Sequence, residues 1–231
     1  MNAGTAPAEF ARRCVAWSLD AALLALATLA LCRQRIDAGI AQASQALDAL
    51  SGAMARTMAD GLLAGSTPVD LARAWLSDPA RRAPVAALSD ALGHLLWTPL
   101  LVFALLSLGW FVGFEASARQ ATPGKRLLGL RVVDERGEGI GLVRAVQRHL
   151  AGALSWLTLN AGHLLAAIPP RRRSLHDRIA GTQVVQAADT GPLPTWARAW
   201  LGLLALAAVA ALAWLFVAAN AAMQRAFDAM L

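Results

Sequence analysis

The chain has 231 residues, 57% of them apolar, and a mean hydropathy of +0.49. An ordinary soluble domain is about 45–50% apolar, so a water-soluble globule is excluded. The 21 Lys and Arg against 15 Asp and Glu are read by position rather than as a nucleic-acid surface, because membrane proteins collect basic residues in cytoplasmic loops.

In chain order, residues 12–32 (RRCVAWSLDAALLALATLALC) form the first predicted span, with Asp20 as its single acid. A carboxylate at the centre of a bilayer-spanning helix costs about 2.5–3.5 kcal/mol. A cleaved lipoprotein-type signal ending in LALC at 29–32 is the alternative. Leu31 stands where a small residue is wanted and Asp20 would break the apolar region, so a retained span fits better. Cys14 and Cys32 lie about 27 Å apart along such a helix, too far for a disulfide within the chain.

Residues 33–93 form an extracytoplasmic insert with 6 Lys and Arg and 6 Asp. Ile36, Ile40, Ala43, Leu47, Leu50, Met54, Met58 and Leu62 recur at spacings near three and four, as on an amphipathic helix. TPVD at 67–70 reads as a helix start, with Thr67 as cap, Pro68 in the first position and Asp70 in the first turn. Two or three helices are expected here, as a cap packed on itself or as a docking surface.

Residues 94–114 (HLLWTPLLVFALLSLGWFVGF) carry no acid, Lys or Arg, with Trp97 and Trp110 near the two ends as interfacial anchors. Residues 196–219 make the third span. Between them lie two segments that read as short strands. One covers 127–133, followed by Asp134 and a Gly137/Gly139 turn; the other is TQVVQ at 182–186. Isolated strands are marginal, so the two are expected to pair. Segments 115–148 and 169–195 hold 7 and 4 basic residues, and both read as cytoplasmic. The apolar stretch 149–168 between them therefore reads as a re-entrant helical hairpin, broken near Gly152, Asn160 and Gly162, with a fourth complete span as the alternative.

The expected fold class is thus a mainly α-helical integral membrane protein with three transmembrane helices, a re-entrant hairpin or fourth span, and a small cytoplasmic two-stranded element. Its parts are 1–32, the N-terminus and first span; 33–93, the insert; 94–186, the second span and core; and 187–231, a linker and the C-terminal span.

Arg13 with Asp20 seven residues later, PGKRLLGLRVVD at 123–134, Arg144 and Arg148, and RRSLHDRIAGTQVV at 172–185 occur in order. This run resembles the RDD family of bacterial membrane proteins, named for one Arg and two Asp. Arg13 and Asp20 match the first pair and Asp177 the second Asp. The resemblance covers the first span and residues 94–186; the insert and last span lie outside it. It implies a multi-pass protein of the bacterial inner membrane, suspected of transport, with cation/proton exchange as the activity some members resemble.

The candidate site is Arg13, Asp20, Lys125, Arg148, Asp177 and Arg178. Arg13 lies about 10 Å of helical rise from Asp20, too far for a direct pair. A cytoplasmic-side cation is expected to hold Asp20, with Arg148 first and Arg178 or Lys125 next. The alternative is a proton or cation site at Asp20. TPGKR at 122–126 fails as a phosphate loop, since Arg119 and Arg126 stand where Gly and Ser or Thr are needed; a tight turn is expected instead. Asp177 is expected as a helix cap or as the partner of Arg171, Arg172, Arg173 or Arg178.

The four histidines, at 94, 149, 163 and 176, show no metal-ligand spacing. Neither catalytic residues, a metal nor a cofactor is expected, and the chain is not read as an enzyme. Expected partners are the bilayer, anionic lipid headgroups at the cytoplasmic arginines and further copies of the chain. A scaffold that binds lipid or a protein is the alternative to an oligomeric transporter.

Overall fold

The computed structural model describes residues 4–77, 79–157 and 161–228. Three helices are long and apolar enough to cross a membrane: α1 (Phe10–Leu63), α3 (Pro79–Glu115) and α8 (Thr195–Asp228). Between them lie α2 (Pro68–Ser77), α4 (Pro123–Leu127), α5 (Leu142–Leu157), α6 (Ala161–Leu164) with a 3-10 turn at Leu165–Ala167, and α7 (Leu175–Ile179). The strands are β1 (Thr5–Pro7), β2 (Arg131–Asp134) and β3 (Thr182–Ala187).

The chain divides into two compact units, Met1–Thr28 with Val102–Leu204, and Leu29–Leu101 with Ala205–Leu231. In the first, β2 pairs antiparallel with β3 in the register Val132↔Val184, as the two apolar runs require. The expected pair is one strand short, because β1 adds to the other edge of β3 through Ala6↔Gln186. Three residues, TAP, carry no alternation to read. Pro7 lacks an N–H, so it suits an edge strand. Asp134 accepts the backbone N–H groups of Arg136 and Glu138, each at 2.9 Å, and Gly137 takes φ +85°, which closes the turn after β2.

The core of this unit is small and continuous. Val15 and Ala16 of α1, Val112 of α3, Leu128, Leu130, Val132, Ile140, Ala145, Val184 and Ala197 of α8 pack together, with Trp200 against them. Trp200 Nε1 donates to Ser18 Oγ at 3.0 Å, which ties the start of α8 to α1.

Residues 149–168 form no single span-length helix among the described residues. They divide into the end of α5, α6 and the 3-10 turn. Gly152, expected at the break, lies inside α5, and Asn160 falls outside the described residues. Gly162 has a direct reason: a methyl there would collide with Ser155 and would stand 3.0 Å from Leu175 Cβ.

In the second unit, the first half of the insert has no start of its own. It continues α1 for 54 residues in all, about 80 Å of helix, far more than a bilayer needs. No proline interrupts residues 33–62, and the helix stops at Gly65 with φ +63°. Thr67 then caps α2 as its sequence predicts: Asp70 N donates to Thr67 Oγ1 at 3.3 Å and Thr67 N donates to Asp70 Oδ2 at 3.1 Å. The rest of the insert belongs to α3. Gly39 of α1 lets Leu95 approach, with a Cβ there only 3.0 Å from the Leu95 backbone.

Candidate functional site

Two buried arrangements lie in the first unit. One is a chain of alternating charges. Arg13 Nη2 donates to Asp177 Oδ2 at 2.7 Å, Arg148 Nη1 donates to Asp177 Oδ1, Arg148 Nε to Glu115 Oε2 at 2.9 Å, and Lys125 Nζ to Glu115 Oε1 at 2.5 Å. The order +, −, +, −, + joins α1, α7, α5, α3 and α4. Glu115, Lys125, Arg148 and Asp177 are each less than a tenth exposed. Charges taken out of water are stable only when every lone pair and proton is met.

Most of them are. Ser174 caps α7, donating its N–H (2.9 Å) and its hydroxyl (2.6 Å) to Asp177 Oδ2. Arg13 also reaches the Arg172 carbonyl at 2.9 Å, and Arg148 reaches Thr182 Oγ1 at 2.9 Å. Lys125 lies over the Phe111 ring, 5.2 Å from its centroid. Burial alone would raise the Asp177 carboxyl; Arg148 and Arg13 overcome that and hold it well below the ordinary range. His176 Nε2 lies 2.9 Å from Ser174 Oγ. The hydroxyl proton is given to Asp177, so the imidazole supplies the proton of that contact. Burial first, then Arg148, lowers the His176 pKa well below its usual value.

The second arrangement surrounds Asp20, which is 0% exposed. Its Oδ1 accepts the Gly124 N–H at 2.9 Å and Trp110 Nε1–H at 3.2 Å. Its Oδ2 has no hydrogen-bond partner among the described residues. This corrects the expected ion pair: the cations assigned to Asp20 are taken by other acids, Arg148 by Glu115 and Asp177, and Lys125 by Glu115. Arg178 is exposed and joins neither arrangement. Asp177 serves the start of α7 as the N3 member of its capping box, with Ser174 as the cap itself. Its cations, however, come from α1 and α5 rather than from the neighbouring arginines, of which Arg173 reaches only its backbone oxygen, at 3.1 Å.

The PGKR turn is a short helix that fits this site residue by residue. Thr122 caps it, accepting from Lys125 N, and Pro123 opens it. Gly124 lies so close to α1 that a methyl group would overlap the Ala16 carbonyl oxygen and stand 2.9 Å from Asp20 Oδ2. Lys125 points back to Glu115.

Sequence reasoning missed Glu115, the acid that joins Lys125 to Arg148. It had a signal: a lone acid at the C-terminal end of a span, where the helix dipole disfavours it, needs a cation. Arg12 was also missed as a clamp. It is buried and donates to the carbonyls of Gly191 and Pro192, the latter at 2.9 Å, and so holds the linker before α8.

Among curated proteins, the chain is similar to the uncharacterized protein YxaI of Bacillus subtilis, with 34% identity over 86 residues, 37% of this chain and 56% of the relative. The chain thus spans a little over half the length of that relative. No solved structure matches. The family model described as RDD family matches residues 7–181, which include Arg13, Asp20, Glu115, Lys125, Arg148 and Asp177; the chain belongs to the RDD family.

Proposed function

We propose that this protein, as an oligomer in the bacterial inner membrane, carries a proton or small cation past Asp20. The observation that carries the reading is the asymmetry of that carboxylate. Its Oδ1 is fixed by two donors while Oδ2, also buried, has none among the described residues. Every other buried acid of the site meets a cation. An intramembrane carboxylate with one open oxygen suits a transported proton or ion. Three spans make a thin wall, so the reading requires self-association. Neither a catalytic centre nor a cofactor belongs to it.

The proposed topology places the N-terminus, 115–148 and 169–195 in the cytoplasm, with 149–168 re-entering from that side. β1 pairing with β3, and the presence of the start of α1, the end of α3 and the start of α8 in one unit, support it. The basic counts of those segments point the same way.

The test is flux in liposomes loaded with a pH-sensitive dye, driven in turn by a proton, Na⁺ or K⁺ gradient. Wild type is expected to dissipate at least one gradient. Asp20→Asn keeps an oxygen for Gly124 and Trp110, so it is expected to fold and to lose the flux. Equal flux in the two proteins, or none in wild type, would overturn the reading. A non-transporting scaffold then remains, favoured by the closed charge chain, which locks five elements together and offers no open site of its own.

A further inference from the structure

We propose that the groove beside the last turns of α3 seats an acyl chain of an anionic phospholipid, with the phosphate held by Arg119 and Arg126. This goes beyond the Asp20 reading and does not depend on it. The groove has a volume of about 480 Å3, and Gly109, Gly113, Phe114, Ser117, Arg119 and Arg126 line it. Gly109, Gly113 and Ser117 recur every four residues and so share one stripe, about 12 Å long. The missing side chains make the space: a methyl built on Gly109 or Gly113 meets nothing within 4 Å. α3 is long and apolar enough to cross a membrane, and the proposal sets this floor against hydrocarbon.

Charge selects the occupant. Arg13, Arg144, Arg148, Arg173 and Lys125 each meet a carboxylate. Arg119 and Arg126 are exposed at the rim of an apolar groove, and neither meets one among the described residues. A second copy packed on the small-residue stripe about a twofold axis would bring both arginines against their equivalents, four guanidiniums with no acid between them. A neutral lipid would fill the floor and leave the rim unused. A phosphodiester one headgroup above an acyl chain meets both: the chain covers the glycine stripe, and the planar guanidiniums can each donate two hydrogen bonds to phosphate oxygens.

The experiment uses the full chain, purified in neutral detergent and offered equal amounts of phosphatidylglycerol and phosphatidylcholine, with retained lipid counted by native mass spectrometry. Wild type is expected to retain phosphatidylglycerol about tenfold over phosphatidylcholine. The double variant Arg119→Gln/Arg126→Gln removes exposed charges without stranding an acid, so it is expected to melt as wild type and to lose the preference. Gly113→Leu fills the groove and is expected to lower retention of both lipids. Equal retention of the two lipids by wild type, or an unchanged preference in the arginine variant, would overturn the proposal. So would competition by soluble glycerol phosphate as strong as by the lipid, which assigns a free-anion site. A Gly113→Leu protein that keeps its lipid and loses its oligomer would give the groove to a second copy.

Discussion

Gly124 donates its backbone N–H to Asp20 Oδ1 at 2.9 Å, across 104 residues of sequence. The contact exists because position 124 has no side chain. Any Cβ there would strike the Ala16 carbonyl, one turn before Asp20 on α1. The glycine therefore does two things: it lets α4 lie on α1, and it supplies a donor to a carboxylate that meets no cation among the described residues. A backbone amide at the start of a helix suits a buried anion.

Gly124→Ala is accordingly expected to destabilise by about 1–3 kcal/mol, the usual cost of overpacking, since the facing atom is backbone and cannot swing away. Gly152→Ala is the control. Its Cβ meets nothing within 4 Å and it lies inside α5, so it is expected to stabilise by about 0.5–1 kcal/mol. Thermal melting in detergent reads both; a neutral Gly124→Ala would show that α4 does not rest on α1.

Asp20 and Arg148 share no partner, whereas Arg13 and Asp177 are in direct contact. Arg13→Met or Asp177→Asn alone is expected to cost about 3–5 kcal/mol, because each breaks a buried ion pair and leaves the charges that remain underneutralised. The Arg13–Asp177 cycle should return a coupling of about 0.5–3 kcal/mol. Asp20→Asn with Arg148→Met should add within about 0.5 kcal/mol. A coupling between Asp20 and Arg148 as large as that between Arg13 and Asp177 would restore the ion pair that the sequence suggested.

The three span-length helices, the β2–β3 pair and the Thr67 cap were legible because each rests on local information: an apolar run, an alternation, a capping pattern. Asp20, Arg148, Lys125 and Asp177 were legible as residues out of place in their surroundings, but their pairing was not. A basic residue near an acid in depth says nothing about which other acid competes for it. Glu115 takes both Lys125 and Arg148, and Asp177 takes the second side of Arg148 and all of Arg13 that an acid can hold. Asp20 is left to donors without charge, an indole and a backbone amide. Backbone N–H groups have no letter in the sequence, and only the glycine that exposes this one could have marked it. The three-residue β1 was invisible because its order comes from β3 rather than from its own residues.

All residues of both buried arrangements belong to the first unit, which holds none of residues 38–90. Replacing 38–90 by a short Gly/Ser linker is therefore expected to leave the charge chain and the sheet folded. Expression and the melting of the remaining protein in detergent check this. Complete loss of folded protein would show that the second unit is needed to build the first.

The last expectation concerns acid. His176 has its pKa lowered by burial and by the Arg148 guanidinium, and Asp177 and Arg13 also face it, with the His163 ring 5.1 Å away. Its Nδ1 is buried without a hydrogen-bond partner among the described residues, so a second ring proton would find no acceptor there. With the folded pKa below the unfolded one, the unfolded chain binds the proton first. Stability is then full above about pH 6.5 and falls as the pH drops below it, by at most about 1.4 kcal/mol per pH unit for one proton. Asp177 is depressed as well, so its contribution is present above its unfolded value of about 3.9 and is lost only as the pH falls below that. Two windows follow: the His176 loss sets in as the pH falls below about 6.5, and the Asp177 loss only below about 4. His176→Gln keeps an N–H for Ser174 and cannot titrate. Its melting temperature in detergent is expected to be flatter than that of wild type from pH 7 to 5, while the loss below pH 4 persists in both. Parallel curves from pH 7 to 5 would mean that His176 does not report on the lock around Asp177.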